Sequence, residues 1–294
     1  KVWADADFPP NMKVEPNHAY TILDSSTESI FLHVTTHDVE GKEYGTIVKS
    51  NSNGTSYAVS LDNVNRTKYG FVDFDRMDGL EGTIISNIVT NVKEVNKGAV
   101  KKTKTQISHN DGGEWLYLNP PKVDSTGKKF PCADSSLEKC SLNVHGYTER
   151  SDYRDTFSST SATGVLIAVG NVGENLGTFA DASTFISRDG GITWAEAVKG
   201  VYMWEFGDRG TILVLVDEVN STNTLKYSTD EGVTWKDYQF TEEKVKAWDI
   251  ATIPSDTSLK FVIFAVNEKD SQHTKAFGID FSNIYKRQCQ LDLD

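Results

Sequence analysis

The chain has 294 residues, 38% of them hydrophobic and 11% aromatic, and a formal net charge of −12. That is ample apolar material for a buried core, and the acidic balance argues against a nucleic-acid partner, which needs clustered Lys and Arg. No apolar run approaches the roughly 20 residues of a membrane-spanning helix. The chain begins at Lys1 without an initiator Met, so it is expected to be processed or excised from a longer protein. In chain order, strand-like runs appear at Ser29 to Val34, Gly70 to Phe74, Val165 to Val169, Thr211 to Val216 and Lys260 to Val266. Each is short, β-branched or aromatic, and bounded by Gly, Asn, Asp or Ser. Ser86 to Lys97 also reads as strand, because Ile88, Val89, Val92 and Val95 are β-branched. The basic run Lys97 to Lys104 is expected to solvate an exposed hairpin. No amphipathic helix of three turns emerges, and the class is all-β.

An eight-residue pattern recurs within this frame. Ser187 to Trp194 and Ser228 to Trp235 both read S-x-D-x-G-x-T-W; Ser108 to Trp115 is a worn copy with Asn110 for the Asp, and Ser50 to Tyr57 is more worn still. Repeats at such intervals signal a modular array. Gly191 and Gly232 supply a backbone conformation that a side chain would obstruct. Asp189 and Asp230 can accept hydrogen bonds from their own turn. Trp194 and Trp235 anchor the exit strand as large apolar plugs. Ser187 and Ser228 open the pattern. This resembles the Asp-box hairpin of sialidases, some glycosidases and sorting-receptor propellers, where its role is structural, so none of these aspartates is expected to be catalytic. The copies start at 50, 108, 187 and 228, and a four-stranded propeller blade takes about 40–50 residues. With Val2-Trp3 read as the tail of a further box, the chain becomes an arc of about five to six β-propeller blades.

Cysteines and sequons bear on compartment. Cys132 and Cys140 lie close together in a loop rich in Pro, Ser and Lys, which suggests a local disulfide; no nearby His or further Cys completes a four-ligand metal site. Cys289 is left unpaired in this chain. Asn53, Asn65 and Asn220 each open an N-x-S/T sequon, and with the disulfide they favour a lumenal or secretory location. Catalytic motifs are missing: no catalytic residue, metal or cofactor is expected. The six histidines show no metal-ligand spacing, and His33 and His37 read as ordinary surface or partly buried residues. A sialidase-like or glycan-binding propeller is the alternative. Sialidase chemistry uses a Tyr nucleophile and several arginines around a sugar carboxylate, and the seven arginines here form no such set.

A wider resemblance runs through the chain in order. Cys140-Ser141-Leu142-Asn143-Val144-His145, Phe185-Ile186-Ser187-Arg188-Asp189-Gly190-Gly191, Lys226-Tyr227-Ser228-Thr229-Asp230-Glu231-Gly232 and Gly278-Ile279-Asp280-Phe281 resemble stretches of the sortilin family of vacuolar and lysosomal sorting receptors. Gly45-Thr46-Ile47, Ser50, Gly54 and Tyr57 are similar to an upstream stretch of that family. The resemblance implies the C-terminal half of a ten-bladed lumenal propeller over residues 1–285, with 286–294 beginning a Cys-rich module in which Cys289 would pair. It also implies a type I membrane protein of the Golgi and endosome lumen that binds hydrolase precursors or peptide ligands, as the fungal members do. The remaining half of the propeller would then be a partner, since half a ring exposes apolar faces at both ends. In the family, an aromatic-hydroxyl-Ile segment contributes to peptide binding, and Tyr20-Thr21-Ile22 matches it; the alternative is an ordinary innermost strand filling a blade core. His18, beside that segment, is the candidate for pH-linked release.

Overall fold

The computed structural model describes residues 5–10, 12, 20–24, 28–149, 157–267 and 270–285. Val2-Trp3, His18, Cys289 and the 286–294 segment lie outside the described residues. Among those described, the strands follow one another as five antiparallel meanders. The first comprises β1 (Tyr20–Asp24), β2 (Phe31–His37), β3 (Tyr44–Ser50) and β4 (Tyr57–Asn65). The second comprises β5 (Phe74–Arg76), β6 (Ile84–Val89), β7 (Thr103–Ser108) and β8 (Leu116–Tyr117). The third runs through β9 (Ser141–Val144), β10 (Leu166–Gly173), β11 (Ser183–Ser187) and β12 (Ala195–Val198). The fourth contains β13 (Tyr202–Gly207), β14 (Ile212–Asp217), β15 (Thr224–Ser228) and β16 (Lys236–Gln239). The fifth has β17 (Val245–Ala251), β18 (Lys260–Asn267) and β19 (Asp270–Asp280). The first two are joined into one sheet through the pairing of Val64 with Ile88. This is a β-propeller architecture of the all-β class, as the sequence indicates.

The meanders stack face to face, and β14 shows why its sequence is a continuous apolar run. Side chains alternate across a strand. Ile212, Val214 and Val216 pack with Ile250, Phe261 and Ile263 of the fifth meander. Leu213 and Leu215 pack with Ile167, Val169 and Ile186 of the third. A strand buried on both faces needs apolar residues at every position. The same logic places Ile107 with Leu166 and Phe185 between the second and third meanders, and Phe31 and Ile47 with Ile84 between the first and second.

Two expectations change. Ser86 to Lys97 is strand only to Val89; Val92–Val95 forms one helical turn, α1. The turn buries Val95 with Tyr44 and Val89, and Asn91 closes the loop by accepting from Lys102 N (2.7 Å) and donating to Val100 O (2.8 Å). Burial of Val95 and that clamp outweigh the β-branched preference. The basic run does not merely solvate a hairpin either. Lys101 Nζ donates to Glu43 O, Asn65 Oδ1 and Arg66 O at 3.1, 2.6 and 3.0 Å. Lys104 is buried, donates to the Glu138 carbonyl and lies 4.2 Å from the Tyr117 ring centre. Burial lowers the pKa of both ammonium groups. Among the described residues no helix is long and apolar enough to cross a membrane.

Candidate functional site

The segment singled out in the sequence becomes an edge strand. Among the described residues β1 has one strand partner, β2, in the register Tyr20–Val34, Thr21–His33 and Ile22–Leu32. Tyr20 and Ile22 lie two residues apart, hence on one face, and are 68% and 69% exposed. They do not fill a blade core; only Leu23 joins the Phe31 cluster. Thr21 Oγ1 is 3.5 Å from Gly70 O, which it faces as donor. Asp24 ends the strand in an ion pair with Arg76 of β5, tying the strand's end to the second meander. An edge strand with an exposed aromatic and an exposed aliphatic side chain offers main-chain hydrogen bonds and apolar contacts to an extended peptide.

The boxes hold the meanders together. In the third meander Ser187 Oγ accepts from Gly191 N (2.8 Å) and donates to Asp189 Oδ1 (2.9 Å). Asp189 also accepts from the amide and hydroxyl of Thr193 at 2.8 and 2.6 Å. Trp194 Nε1 donates to Gly191 O at 3.0 Å. Ser228, Gly232, Asp230 and Thr234 repeat the set at 2.7, 2.7, 2.9 and 2.6 Å, and Trp235 packs on the core between third and fourth meanders. The Thr234 hydroxyl, then its amide and the Ser228 hydroxyl, lower the Asp230 pKa to about 2. Burial pulls Asp189 upward, but the bonds from Thr193 and Ser187 together hold it below the usual carboxylate range. Asn110 does the same work in the worn copy, accepting from Glu114 N at 2.8 Å. In the most worn copy Asn51 takes over one place earlier, accepting from Thr55 N at 2.9 Å.

Sequence spacing did not reveal that consecutive boxes also touch. Lys49 Nζ donates to Asp111 O (3.0 Å), His109 Nε2 donates to Gly190 O (3.0 Å), and Arg188 Nε donates to Glu231 O (2.6 Å). Each is a side chain at the entrance of one box reaching the turn of the next. The box glycines sit against the preceding meander: a Cβ on Gly191 would come within 2.6 Å of Ile107 Cδ1, and one on Gly232 within 2.4 Å of Ile186 Cδ1.

Other predicted residues divide. Cys132 and Cys140 form the disulfide, with Cα atoms 5.5 Å apart. Asn53 and Asn220 are exposed. Asn65 is not available to a glycan: it is 5% exposed, its Nδ2 donates to Asp73 Oδ2 (2.8 Å) and Thr148 Oγ1 (3.1 Å), and its Oδ1 accepts from Lys101. A sugar on Nδ2 would displace bonds to a buried carboxyl group. His33 is also misjudged from sequence: it is fully buried in β2. Its Nε2 is 3.5 Å from Val64 O, and its Nδ1 has no hydrogen-bond partner among the described residues. Burial, then the neighbouring Arg66 charge, lowers its pKa to about 4. Asp73 is shifted the other way, raised by burial against the bonds from Asn65 and Thr148.

A family model described as "Sortilin, neurotensin receptor 3" of the Sortilin-Vps10 type matches residues 1–250. Proteins named vacuolar protein sorting/targeting protein 10 are similar over the whole chain: that of Debaryomyces hansenii is 60% identical over 294 residues and that of Candida dubliniensis 60% over 295. The chain spans only 18% and 19% of those two proteins, about a fifth of their length. Among solved structures, the β-propeller domain of the trilobed protease from Pyrococcus furiosus aligns at 10% identity and a TM-score of 0.32, covering 90% of this chain and 83% of that one.

Proposed function

Because the chain belongs to the Sortilin-Vps10 family, we propose that it is a lumenal cargo-binding part of a receptor that sorts soluble vacuolar hydrolase precursors from Golgi to endosome. In this reading the five meanders are blades of a ten-bladed ring, residues 286–294 open the Cys-rich module, and the parent protein is membrane-anchored. Asn53 and Asn220 carry the carbohydrate. The protein binds and releases rather than transforms; the relatives' names point to sorting and away from the glycosidase alternative.

The observation that carries the reading is the edge strand β1 with Tyr20 and Ile22 turned outward. A peptide segment of a precursor would add as a strand along it, with apolar side chains over Tyr20 and Ile22. Truncating both to alanine in the intact protein is expected to weaken capture of a hydrolase precursor at least about tenfold, as loss of central apolar contacts does. Because both side chains are exposed, the melting temperature should stay put. Unchanged capture by the double variant would remove β1 from the binding surface.

A further inference from the structure

The pairing of β1 is irregular at its end. Residues directly opposite each other on antiparallel strands share a face of the sheet. Tyr20 stands opposite Val34 and Ile22 opposite Leu32, so simple alternation would turn Asp24 outward with Tyr20 and Ile22. The register shifts instead, and Asp24 stands opposite Phe31. Ile22, Leu23 and Asp24 therefore span what Leu32 and Phe31 span on β2. Phe31 is fully buried between the first and second meanders, so Asp24 is turned inward, toward β5. One extra residue in a strand re-aims the side chain beyond it in this way.

Little else holds β1 to the body of the protein. Among the described residues it has one strand partner. Tyr20 and Ile22 are exposed, and Thr21 Oγ1 is 3.5 Å from Gly70 O, the outer limit of a hydrogen bond. A segment with so few buried contacts opens locally unless its end is tied down. Leu23 supplies one tie, packing on the cluster of Phe31, Ile47 and Ile84. The inward Asp24 supplies the other, through its ion pair with Arg76. Arg76 sits opposite Ile84 on β5. Phe74, two residues earlier on β5, lies 5.3 Å from Phe31 between ring centres and fixes that strand against β2. The side chains of Asp24 and Arg76 are 17% and 19% exposed, so neither is well solvated if the other is lost.

We propose that Arg76 is a positioning residue for peptide capture: from the second meander it holds Asp24 inward and keeps β1 ordered before cargo arrives, a role that rests on the cargo-binding reading above. A strand ordered in advance spares the incoming peptide the cost of ordering it. Arg76 acts through β1, so neutralising either member of the pair has the same consequence. An arginine that gripped the cargo itself would behave differently, because removing Asp24 would free its charge for the cargo.

The test compares Arg76→Gln, Asp24→Asn and Arg76→Lys in the intact protein, with a soluble vacuolar hydrolase precursor as the probe. Without precursor, Arg76→Gln and Asp24→Asn are expected to speed hydrogen exchange at Tyr20–Asp24 at least about tenfold and to leave the rest of the chain as it is. Each should weaken capture of the precursor about fivefold, as the ordering of a few side chains on binding does. Arg76→Lys keeps the charge and should restore most of both properties. Unchanged exchange at Tyr20–Asp24 would overturn the positioning role, as would faster exchange throughout the chain, which marks a general structural contact. Weaker capture by Arg76→Gln with equal or stronger capture by Asp24→Asn would overturn it in favour of direct contact with the precursor. Faster exchange with unchanged capture would overturn it too. In that case the Tyr20 and Ile22 double variant decides the rest: capture weakened by the double variant leaves the β1 reading standing, and unchanged capture removes that reading as well.

Discussion

Replacing Gly232 by alanine is expected to destabilise the protein by about 2–5 kcal/mol, from roughly 1–2 for a left-handed backbone and roughly 1–3 for overpacking. Gly232 has φ +74°, and a Cβ there would lie 2.4 Å from Ile186 Cδ1 of the preceding meander and 3.1 Å from its own box tryptophan, Trp235. The strain therefore falls on the contact between two blades as well as on the hairpin tip. Gly278 in β19 is the control, because a Cβ added there meets nothing within 4 Å. Chemical denaturation of the two variants separates the effects. Gly278→Ala should stay within about 0.5 kcal/mol of the parent, as substitutions away from packed features do. Equal behaviour of the two alanine variants would show that the box glycine is not an interblade contact.

Acidification from pH 7 to about 4 is expected to remove about 3 kcal/mol of stability through His33 alone, since each pH unit between the folded and unfolded pKa values is worth about 1.36 kcal/mol. In the folded protein the ring stays neutral down to about 4, whereas in the unfolded chain it takes a proton below about 6.5. Between those values the unfolded state binds more protons, so acid favours unfolding. The contribution is complete above about 6.5 and is lost as pH falls toward about 4. Asp73 acts in the opposite sense, because its raised pKa lets the folded state hold a proton that the unfolded state has released. It is common to the parent and a His33→Gln variant, so comparing their stability–pH slopes isolates His33. The variant's curve should be flatter across that window; parallel curves would contradict the assignment. The sequence pointed to His18 for a pH response, whereas the fold buries His33, directly opposite Thr21 of β1.

The boxes were legible because their chemistry is local. Ser187, Asp189, Gly191 and Thr193 bond within one turn, so the pattern of residue types is itself the structure. Asn110 could be recognised as the same device because an amide oxygen accepts from Glu114 N as a carboxylate does. What stayed hidden depends on partners far along the chain. Nothing near His33 marks it as buried; Gly45 and Val64, on β3 and β4, enclose it. Asn65 looks like an ordinary sequon until Asp73, Lys101 and Thr148 converge on it. Lys101 and Lys104 look like solvated charges until carbonyls from distant segments receive them. The links from His109 to Gly190 and from Arg188 to Glu231 join residues 81 and 43 positions apart, beyond the reach of any local pattern. The Tyr20-Thr21-Ile22 segment was marked by the family resemblance, but whether it filled a core or faced outward shows only in the exposure of Tyr20 and Ile22 on a strand at a sheet edge.

The most direct measurement is backbone hydrogen exchange of the intact protein with and without a saturating hydrolase precursor. Addition of a precursor segment to the edge strand requires slowed exchange at Tyr20–Asp24 on binding, with the precursor recovered uncleaved. Binding that leaves Tyr20–Asp24 unprotected, or a precursor recovered cleaved, would contradict the assignment of this chain as a cargo-binding receptor domain acting through β1.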